Sequence, residues 1–323
     1  MIDDFEIGHH TADREGWLTG TTVVVARSGA TGGVDVRGGS PGTRETDLLD
    51  PAMLIERVHA IVLTGGSAYG LAAVDGAMAE LESAGAGYPV GERPEEVVPI
   101  VPAAVIFDLG RGGVFGNRPT AEFGALALRA ASNERPTSGC LGAGTGALCG
   151  GLKGGFGYAE ARLESGKSVA AAVVINASGS PFDLRTGRLW ADRLDQYPVP
   201  DDAQRAELAA AAEASVPRRL NTTIGAVLTD AALTKAQANK LAAAGHDGLA
   251  RAIRPVHSMT DGDTIFGLAS GRRPQNPDPL GALKDLNLLL EAAADAVTDA
   301  CLDAMLSATG RGQWRSYREL TAL

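Results

Sequence analysis

Short apolar runs alternate with longer stretches of helical periodicity over the first 190 residues of the chain. Apolar runs without polar alternation, rich in β-branched residues, are typical of strands that are covered on both faces. Four such runs predict strands, at residues 19–26, 59–66, 103–110 and 168–176. Two stretches between them predict helices, at residues 71–85 and 121–131.

The pattern changes over residues 192–220, where prolines and charged residues precede an alanine-rich helical stretch. This composition predicts an exposed connector that is easily rearranged. Further on, the sequence predicts strands at 223–229 and 263–271, a helix from the capping box of Thr234 and Gln237 toward Ala252, and a helix over 283–306. The leucine and alanine residues of the last helix are spread around much of its circumference, which predicts burial on more than one of its faces.

Strands and helices in this order predict a layered α/β sandwich, built as a single domain over residues 1–323. Periodicity leaves open whether the sheet is parallel, mixed or doubled. Aromatic residues make up only 5% of the chain, whereas glycine is abundant at 42 residues. We therefore expect a core of aliphatic side chains, with close backbone contacts at the glycines.

The charge and the cysteines exclude several classes of function. The net charge is −10 and the sequence pI is about 5.0. The sequence lacks the dense cluster of lysine and arginine that a nucleic-acid partner would require, so it predicts no such partner. The three cysteines, Cys140, Cys149 and Cys301, lack zinc-site spacing, and their odd number argues against a disulfide framework. The histidines likewise lack metal-site spacing, so we expect no metal and no organic cofactor.

The opening residues "MIDDFEIGHH" lack the basic and apolar regions of a secretory signal. No stretch reaches the roughly 18 uninterrupted apolar residues of a membrane span. These features predict a cytoplasmic protein without a membrane partner.

The stretch "RRLNTTIGAVLTD" at 218–230 places Asn221, Thr222 and Thr223 directly before a predicted strand. On spacing alone, the threonines are explained by the start of a strand, because strands favour β-branched residues. Alternatively, one of them is a hidden nucleophile that self-cleavage exposes. A threonine that begins a chain carries a free α-amine with a reference pKa of about 7.7–8.0, which can accept the proton of its own hydroxyl.

Three blocks of the sequence resemble the self-processing aminopeptidase/amidase family, which includes D-aminopeptidases, β-peptidyl aminopeptidases, nylon-oligomer hydrolases and a pantetheine hydrolase. The blocks are "IGHHTADREGWLTGTTVVVA", "TGGSAYGL" at 64–71, and Asn-Thr-Thr followed some 40 residues later by "DGDTIF". The resemblance implies an αββα sandwich related to the N-terminal-nucleophile hydrolases, with its own connectivity. It also implies self-cleavage and a homo-oligomer of αβ units.

By this resemblance, Asn221–Thr222 is the scissile bond, and cleavage yields chains 1–221 and 222–323. Thr222 is then the nucleophile, with Thr223 as the alternative, and the family role of oxyanion donor falls to Asn176. Charge and orientation fall to Lys153, Asp261 and Asp263. Each residue also has a structural explanation, as a turn-forming asparagine, a loop lysine or an Asp-Gly turn.

Two aromatic residues are expected to bind substrate. The resemblance makes "TGGSAYGL" a wall of the substrate pocket, with Tyr69 as a contact, and its glycines do not meet the GxGxxG spacing of a nucleotide site. Phe107 stands where nylon-oligomer hydrolases have tyrosine, so this chain lacks that hydroxyl and must orient its substrate differently.

The sequence therefore predicts an N-terminal-threonine amide hydrolase or aminopeptidase. It would act through an acyl-enzyme on short peptides or small amine-bearing amides. An acyltransferase of the ornithine-acetyltransferase type is an alternative on the same fold, and a non-catalytic binding relative is another.

Overall fold

The computed structural model describes residues 1–214 and 221–323. The end of the predicted connector, at 215–220, lies outside the described residues. The strands are β1 (Glu6–Arg14), β2 (Trp17–Val36), β3 (Thr43–Arg44), β4 (Arg57–Thr64), β5 (Tyr88–Pro89), β6 (Val97–Val98), β7 (Ala103–Val105), β8 (Leu148–Cys149), β9 (Leu152–Lys153), β10 (Gly155–Arg162), β11 (Ser168–Ile175), β12 (Ile224–Ala231) and β13 (Thr264–Arg273). The α-helices are α1 (Ala73–Ser83), α2 (Ala121–Arg129), α3 (Asp202–Ala214), α4 (Lys235–Ala252), α5 (Pro279–Ser307) and α6 (Tyr317–Thr321).

Nine strands form one hydrogen-bonded sheet in the order β10-β11-β12-β13-β2-β4-β7-β3, with β1 also paired to β2. The sheet is mixed, because β12 pairs with β13 and β4 pairs with β7 in parallel, while the other pairs are antiparallel. Two small hairpin pairs, β5-β6 and β8-β9, lie outside it.

The 20-residue strand β2 connects two layers of this sheet. Its first half pairs with β1 and β4, and its last residues pair with β13. Between Val25 and Ala30 the pairing with β4 changes register. Gly29 lies in this irregular stretch with a φ of 76°, a conformation that glycine adopts without the penalty of a Cβ.

Alternating side chains show how the layers stack. On β11, residues of one parity pack against α4 and α5, namely Val169, Ala171, Val173 and Ile175. The other parity packs between the two strand layers, namely Ala170, Ala172 and Val174. On β4, Ile61 and Leu63 face the same interior, whereas Ala60 and Val62 face α1 and α2. The order of layers is thus helix, strand, strand, helix, and the predicted αββα sandwich is confirmed.

Glycines let helices approach the strands closely, as the composition predicted. A Cβ at Gly267 of β13 would lie 2.4 Å from the carbonyl oxygen of Ala238 in α4, and one at Gly157 of β10 would lie 2.0 Å from that of Ala300 in α5. Both separations are shorter than any real contact of a Cβ atom, so these positions require glycine at the present helix distance.

Most predicted elements are confirmed, including the capping box of Thr234 and Gln237 at the start of α4. The prediction of a strand over 103–110 was wrong beyond Val105, where β7 ends. There the chain turns into a loop, in which the carboxylate of Asp108 accepts a hydrogen bond from the N–H of Gly66 at 2.6 Å. Among the described helices, none is long and apolar enough to cross a membrane.

Candidate active site

Three strands bring their ends to the same edge of the sheet. In the register of the sheet, Ile224 of β12 pairs with Val174 of the antiparallel β11 and with Thr264 of the parallel β13. When the same register is extended by two residues beyond the end of each strand, three residues lie in one row: Asn176, Thr222 and Gly262. The N–H of Thr222 accordingly donates to the carbonyl oxygen of Asn176 at 2.5 Å. The sheet register therefore places the predicted nucleophile beside the predicted oxyanion donor.

The Thr222 hydroxyl faces the peptide bond that precedes it. Its Oγ1 donates to the carbonyl oxygen of Asn221 at 2.5 Å and accepts a hydrogen bond from the N–H of Gly262 at 3.2 Å. Asn221 is 9% exposed and Thr222 is 5% exposed, so the intact peptide bond lies within the protein.

The two predicted carboxylates lie on the β13 side of Thr222, and each oxygen of both accepts at least one hydrogen bond. Asp263 accepts from the N–H of Thr223 at 2.7 Å, and from the backbone N–H and ring Nδ1 of His257 at 3.1 and 2.8 Å. Asp261 accepts from the N–H of Ser178 and from the hydroxyl of Ser258. Asp263 thus connects the segment that follows the predicted scissile bond to a histidine.

The side-chain amide of Asn176 is fixed in one orientation. Its Oδ1 accepts from Arg111 at 2.6 Å and from the N–H of Leu148 at 2.9 Å. Both partners can only donate, so the atom that faces them must be the oxygen. The Nδ2 group is buried and has no hydrogen-bond partner among the described residues. A buried N–H donor without a partner is unfavourable, which makes Nδ2 available to an oxygen that arrives at the site.

Lys153 is fully buried in β9, and its Nζ donates to three backbone carbonyls, those of Gly144, Ala147 and Gly154. Burial lowers the pKa of Lys153 to about 8. The family resemblance gave this lysine a role in charge and orientation, and its hydrogen bonds to Gly144 and Ala147 hold the loop that leads to Leu148. Lys153 therefore contributes to the position of the loop whose Leu148 N–H donates to the Asn176 side chain.

Arg111 is a site residue that the sequence analysis missed. One arm of its guanidinium, Nη1, donates to Asn176 and to the carbonyl of Gly146 at 2.7 Å, and the other arm, Nη2, donates to the side-chain oxygen of Asn221 at 2.8 Å. Burial lowers the pKa of Arg111 to about 10, and the negative charge of Asp108 opposes this effect. Both residues stand in "FDLGRGG", and the wrong strand prediction concealed the loop that carries them.

His257 is the second residue that was overlooked, because it lacked metal-site spacing. It has a φ of 58°, and its Nδ1 is bound to Asp263 while its Nε2 is buried without a partner among the described residues. Its ring packs edge-on against that of His246 at 4.7 Å between centroids. Burial lowers the pKa of His246, so that ring stays neutral at physiological pH.

The two aromatic residues predicted to bind substrate belong to two loops that the hydrogen bond between Gly66 and Asp108 joins. Tyr69 is 56% exposed and lies in a 3₁₀ turn at Ser67–Ala72, with the guanidinium of Arg118 3.7 Å above its ring. Phe107 is half-buried next to Asp108. The structure gives neither ring a contact with Thr222, so their binding role stays a prediction.

Charges are divided between the two sides of the Asn221–Thr222 bond. Arg111 contacts Asn221, the residue before the bond, whereas Asp263 contacts Thr223, the second residue after it. Within residues 1–214 and 221–323, no group of three or more His, Cys, Asp or Glu side chains could hold a metal ion. The chemistry that this arrangement can perform is that of a hydroxyl nucleophile with N–H donors around it.

Comparison with known sequences identifies the family of the chain. The model of the family described as Peptidase family S58 matches residues 2–315. An uncharacterized aminopeptidase of Mycobacterium leprae is 45% identical over 328 residues, which cover 95% of this chain and 89% of that protein. A 6-aminohexanoate-oligomer endohydrolase of a Kocuria species is 30% identical over 321 residues, covering 88% of this chain and 80% of that enzyme.

Comparison with solved structures confirms the fold. The L-aminopeptidase D-Ala-esterase/amidase of Ochrobactrum anthropi, whose structure is described as a new variant of the Ntn hydrolase fold, matches with a TM-score of 0.72. The match covers 97% of this chain and 86% of that one, at 17% sequence identity. The resemblance found in the sequence is confirmed, and the chain is a hydrolase that belongs to peptidase family S58.

Proposed function

We propose that the chain cleaves its own Asn221–Thr222 bond and that Thr222 then hydrolyses short peptides or small amine-bearing amides. The observation that supports this proposal most strongly is the buried contact of 2.5 Å between Thr222 Oγ1 and the carbonyl oxygen of Asn221. The hydroxyl is held against the carbonyl group of the preceding peptide bond, and Asn176 Nδ2 in the same site is a buried donor without a partner among the described residues. This arrangement supports attack of the hydroxyl on that carbonyl.

In the proposed self-cleavage, Thr222 Oγ1 forms a bond to the carbonyl carbon of Asn221, and the carbon–nitrogen bond to Thr222 breaks. The hydroxyl proton ends on the released amine, so the product is an ester with a free α-amine. Water then hydrolyses the ester, which leaves a carboxylate on Asn221 and restores the Thr222 hydroxyl. The atoms balance with one water consumed, and no cofactor enters.

Asn176 is the proposed oxyanion donor in both reactions. Its Nδ2 is the buried donor without a partner, and its carbonyl oxygen already holds the nitrogen of Thr222 at 2.5 Å. A donor that is already oriented costs no reorganisation when charge develops on the carbonyl oxygen. Arg111 and Lys153 act as positioning residues, since their hydrogen bonds fix the Asn176 amide and the loop that holds it.

In the mature enzyme, the new α-amine of Thr222 is the proposed base. The amine takes the hydroxyl proton as Oγ1 attacks the substrate carbonyl, and passes it to the leaving amine. Asp263 fixes the N–H of Thr223 and, with Asp261, supplies negative charge on this side. Water then releases the acid from the acyl-enzyme.

The test compares the wild-type protein with Thr222→Ala and Thr223→Ala on denaturing gels and in hydrolysis of a panel of dipeptides and aminoacyl anilides. We expect bands of about 23 and about 10 kDa from the wild-type, in proportion to 221 and 102 of the 323 residues. Thr222→Ala should remain a single 33.1 kDa chain and hydrolyse nothing, while Thr223→Ala should cleave. Cleavage in Thr222→Ala but not in Thr223→Ala would move the nucleophile to Thr223. The homo-oligomer of αβ units and the cytoplasmic location stay predictions.

A further inference from the structure

Arg111 points a charged arm at a place where a substrate would bind. Its Nη1 is used to hold Asn176 and Gly146, but its Nη2 holds the side chain of Asn221, at 2.8 Å. Under the proposed function, Asn221 leaves Thr222 when its peptide bond is cleaved. Among the contacts of residues 1–214 and 221–323, Nη2 then loses the one hydrogen bond that it makes.

The charge of Arg111 is not matched by a direct ion pair. Across residues 1–214 and 221–323, its guanidinium has no carboxylate within 4.0 Å, and the three oxygens that it contacts belong to uncharged groups. Asp108 influences it from farther away, and Lys153 adds a second buried cation on this side. A cation within a protein is stabilised by an anionic partner with direct hydrogen bonds, so this side of the site favours an acceptor that carries negative charge.

Self-cleavage and substrate hydrolysis must use the same space. In both reactions the carbonyl carbon must reach Thr222 Oγ1 while its oxygen reaches Asn176 Nδ2. The side chain of the residue that carries the carbonyl is then directed to the same place. In the intact chain that residue is Asn221, whose side-chain oxygen occupies the place beside Arg111 Nη2.

We propose that the position of the Asn221 side-chain oxygen is an acyl-side subsite, in which Arg111 selects substrates whose acyl residue carries a carboxylate or carboxamide on Cβ. Aspartyl peptides and amides are the preferred class, and asparaginyl ones are second. The inference rests on the proposed function, because it assumes that Thr222 attacks both carbonyls. A hydrogen bond to a charged acceptor is stronger than one to a neutral acceptor. We therefore expect aspartyl substrates to be preferred over asparaginyl substrates.

The experiment measures kcat/KM of the self-cleaved wild-type enzyme on 4-nitroanilides of aspartate, asparagine, leucine and lysine. We expect aspartyl anilide to be cleaved about 10- to 100-fold better than leucyl anilide, and lysyl anilide to be cleaved worst. Arg111→Met should remove the preference for aspartate. The matched control is Arg129→Met, an exposed arginine paired with Glu80, which should keep the wild-type order.

Because Arg111 also holds Asn176, Arg111→Met can fail to self-cleave. A second series therefore keeps Arg111 and changes Asn221, with the rate of self-cleavage as the readout. Asn221→Asp should cleave within about tenfold of the wild-type rate, and Asn221→Leu should be about 10- to 100-fold slower.

Equal rates for Asn221→Leu and wild-type, together with equal hydrolysis of leucyl and aspartyl anilides, would overturn the subsite and leave the proposed function intact. A self-cleaved enzyme that hydrolyses none of the anilides and no dipeptide would overturn both.

Discussion

The carbonyl oxygen of Asn176 accepts a hydrogen bond from the N–H of Thr222 at 2.5 Å, while the side-chain Nδ2 of the same asparagine has no partner within residues 1–214 and 221–323. One residue therefore holds the backbone of the proposed nucleophile and presents a free donor next to it. This relationship follows from the antiparallel register of β11 and β12.

We first predict the effect of removing that donor. Asn176→Asp can still accept the hydrogen bonds from Arg111 and Leu148, but it replaces the Nδ2 donor with an oxygen. Loss of an oxyanion donor lowers kcat by about 10²- to 10³-fold, so we expect self-cleavage and amide hydrolysis to slow by this amount, with little change in KM. Single-turnover and steady-state kinetics on the purified variant would measure this. A variant with the wild-type kcat would remove Asn176 from the mechanism.

The second prediction concerns Asp263. Asp263→Asn places an NH₂ group where the carboxylate now accepts N–H groups from Thr223 and His257, so at least one buried hydrogen bond is lost. We expect the free energy of unfolding to fall by about 1–3 kcal/mol and the Thr222 peptide to cleave more slowly. Urea unfolding and the rate of appearance of the small fragment measure the two effects. Asp202→Asn, on an almost fully exposed carboxylate of α3, is the matched control and should change neither.

The order of the predicted elements indicated a layered α/β sandwich, and the family resemblance implied its αββα layers and grouped most of the candidate residues. The sheet register that joins those residues depends on non-local pairing. Periodicity identified the strand-like segments that became β12 and β13 but could not show that they run parallel, and it is this pairing that sets Gly262 beside Thr222. Arg111 escaped notice because the apolar run from Ala103 predicted a longer strand. Its role depends on contacts with residues 65 and 110 positions further along the chain, which no local pattern encodes.

A third prediction concerns acid stability. Burial lowers the pKa of His9 from 6.5 to about 4, and its Nε2 is buried with no partner among the described residues. The unfolded chain therefore binds a proton at His9 below about pH 6.5, whereas the folded protein does so only near pH 4, and acid favours unfolding. Protonation of His9 should lower the free energy of unfolding by at most about 3 kcal/mol as the pH falls from about 6.5 to about 4. Denaturant unfolding of His9→Gln should show a shallower loss between pH 6.5 and 4 than the wild-type, and parallel curves would contradict the assignment.

A fourth prediction tests the close contact between β10 and α5. A Cβ added at Gly157 would lie 2.0 Å from the carbonyl oxygen of Ala300, so Gly157→Ala must push the helix away from the sheet. Overpacking of this kind costs about 1–3 kcal/mol, which we expect in the free energy of unfolding. Gly116→Ala is the matched control, because a Cβ there meets no atom within 4 Å. Equal stability of the two variants would show that α5 can shift freely.

The most direct test of the central claim is N-terminal sequencing and mass measurement of the smaller fragment from purified wild-type protein. We expect a fragment of about 10 kDa, or 102 of the 323 residues, that begins Thr-Thr-Ile-Gly. A fully active enzyme that remains a single 33.1 kDa chain, or an active enzyme whose fragment begins at any residue other than Thr222, would contradict it.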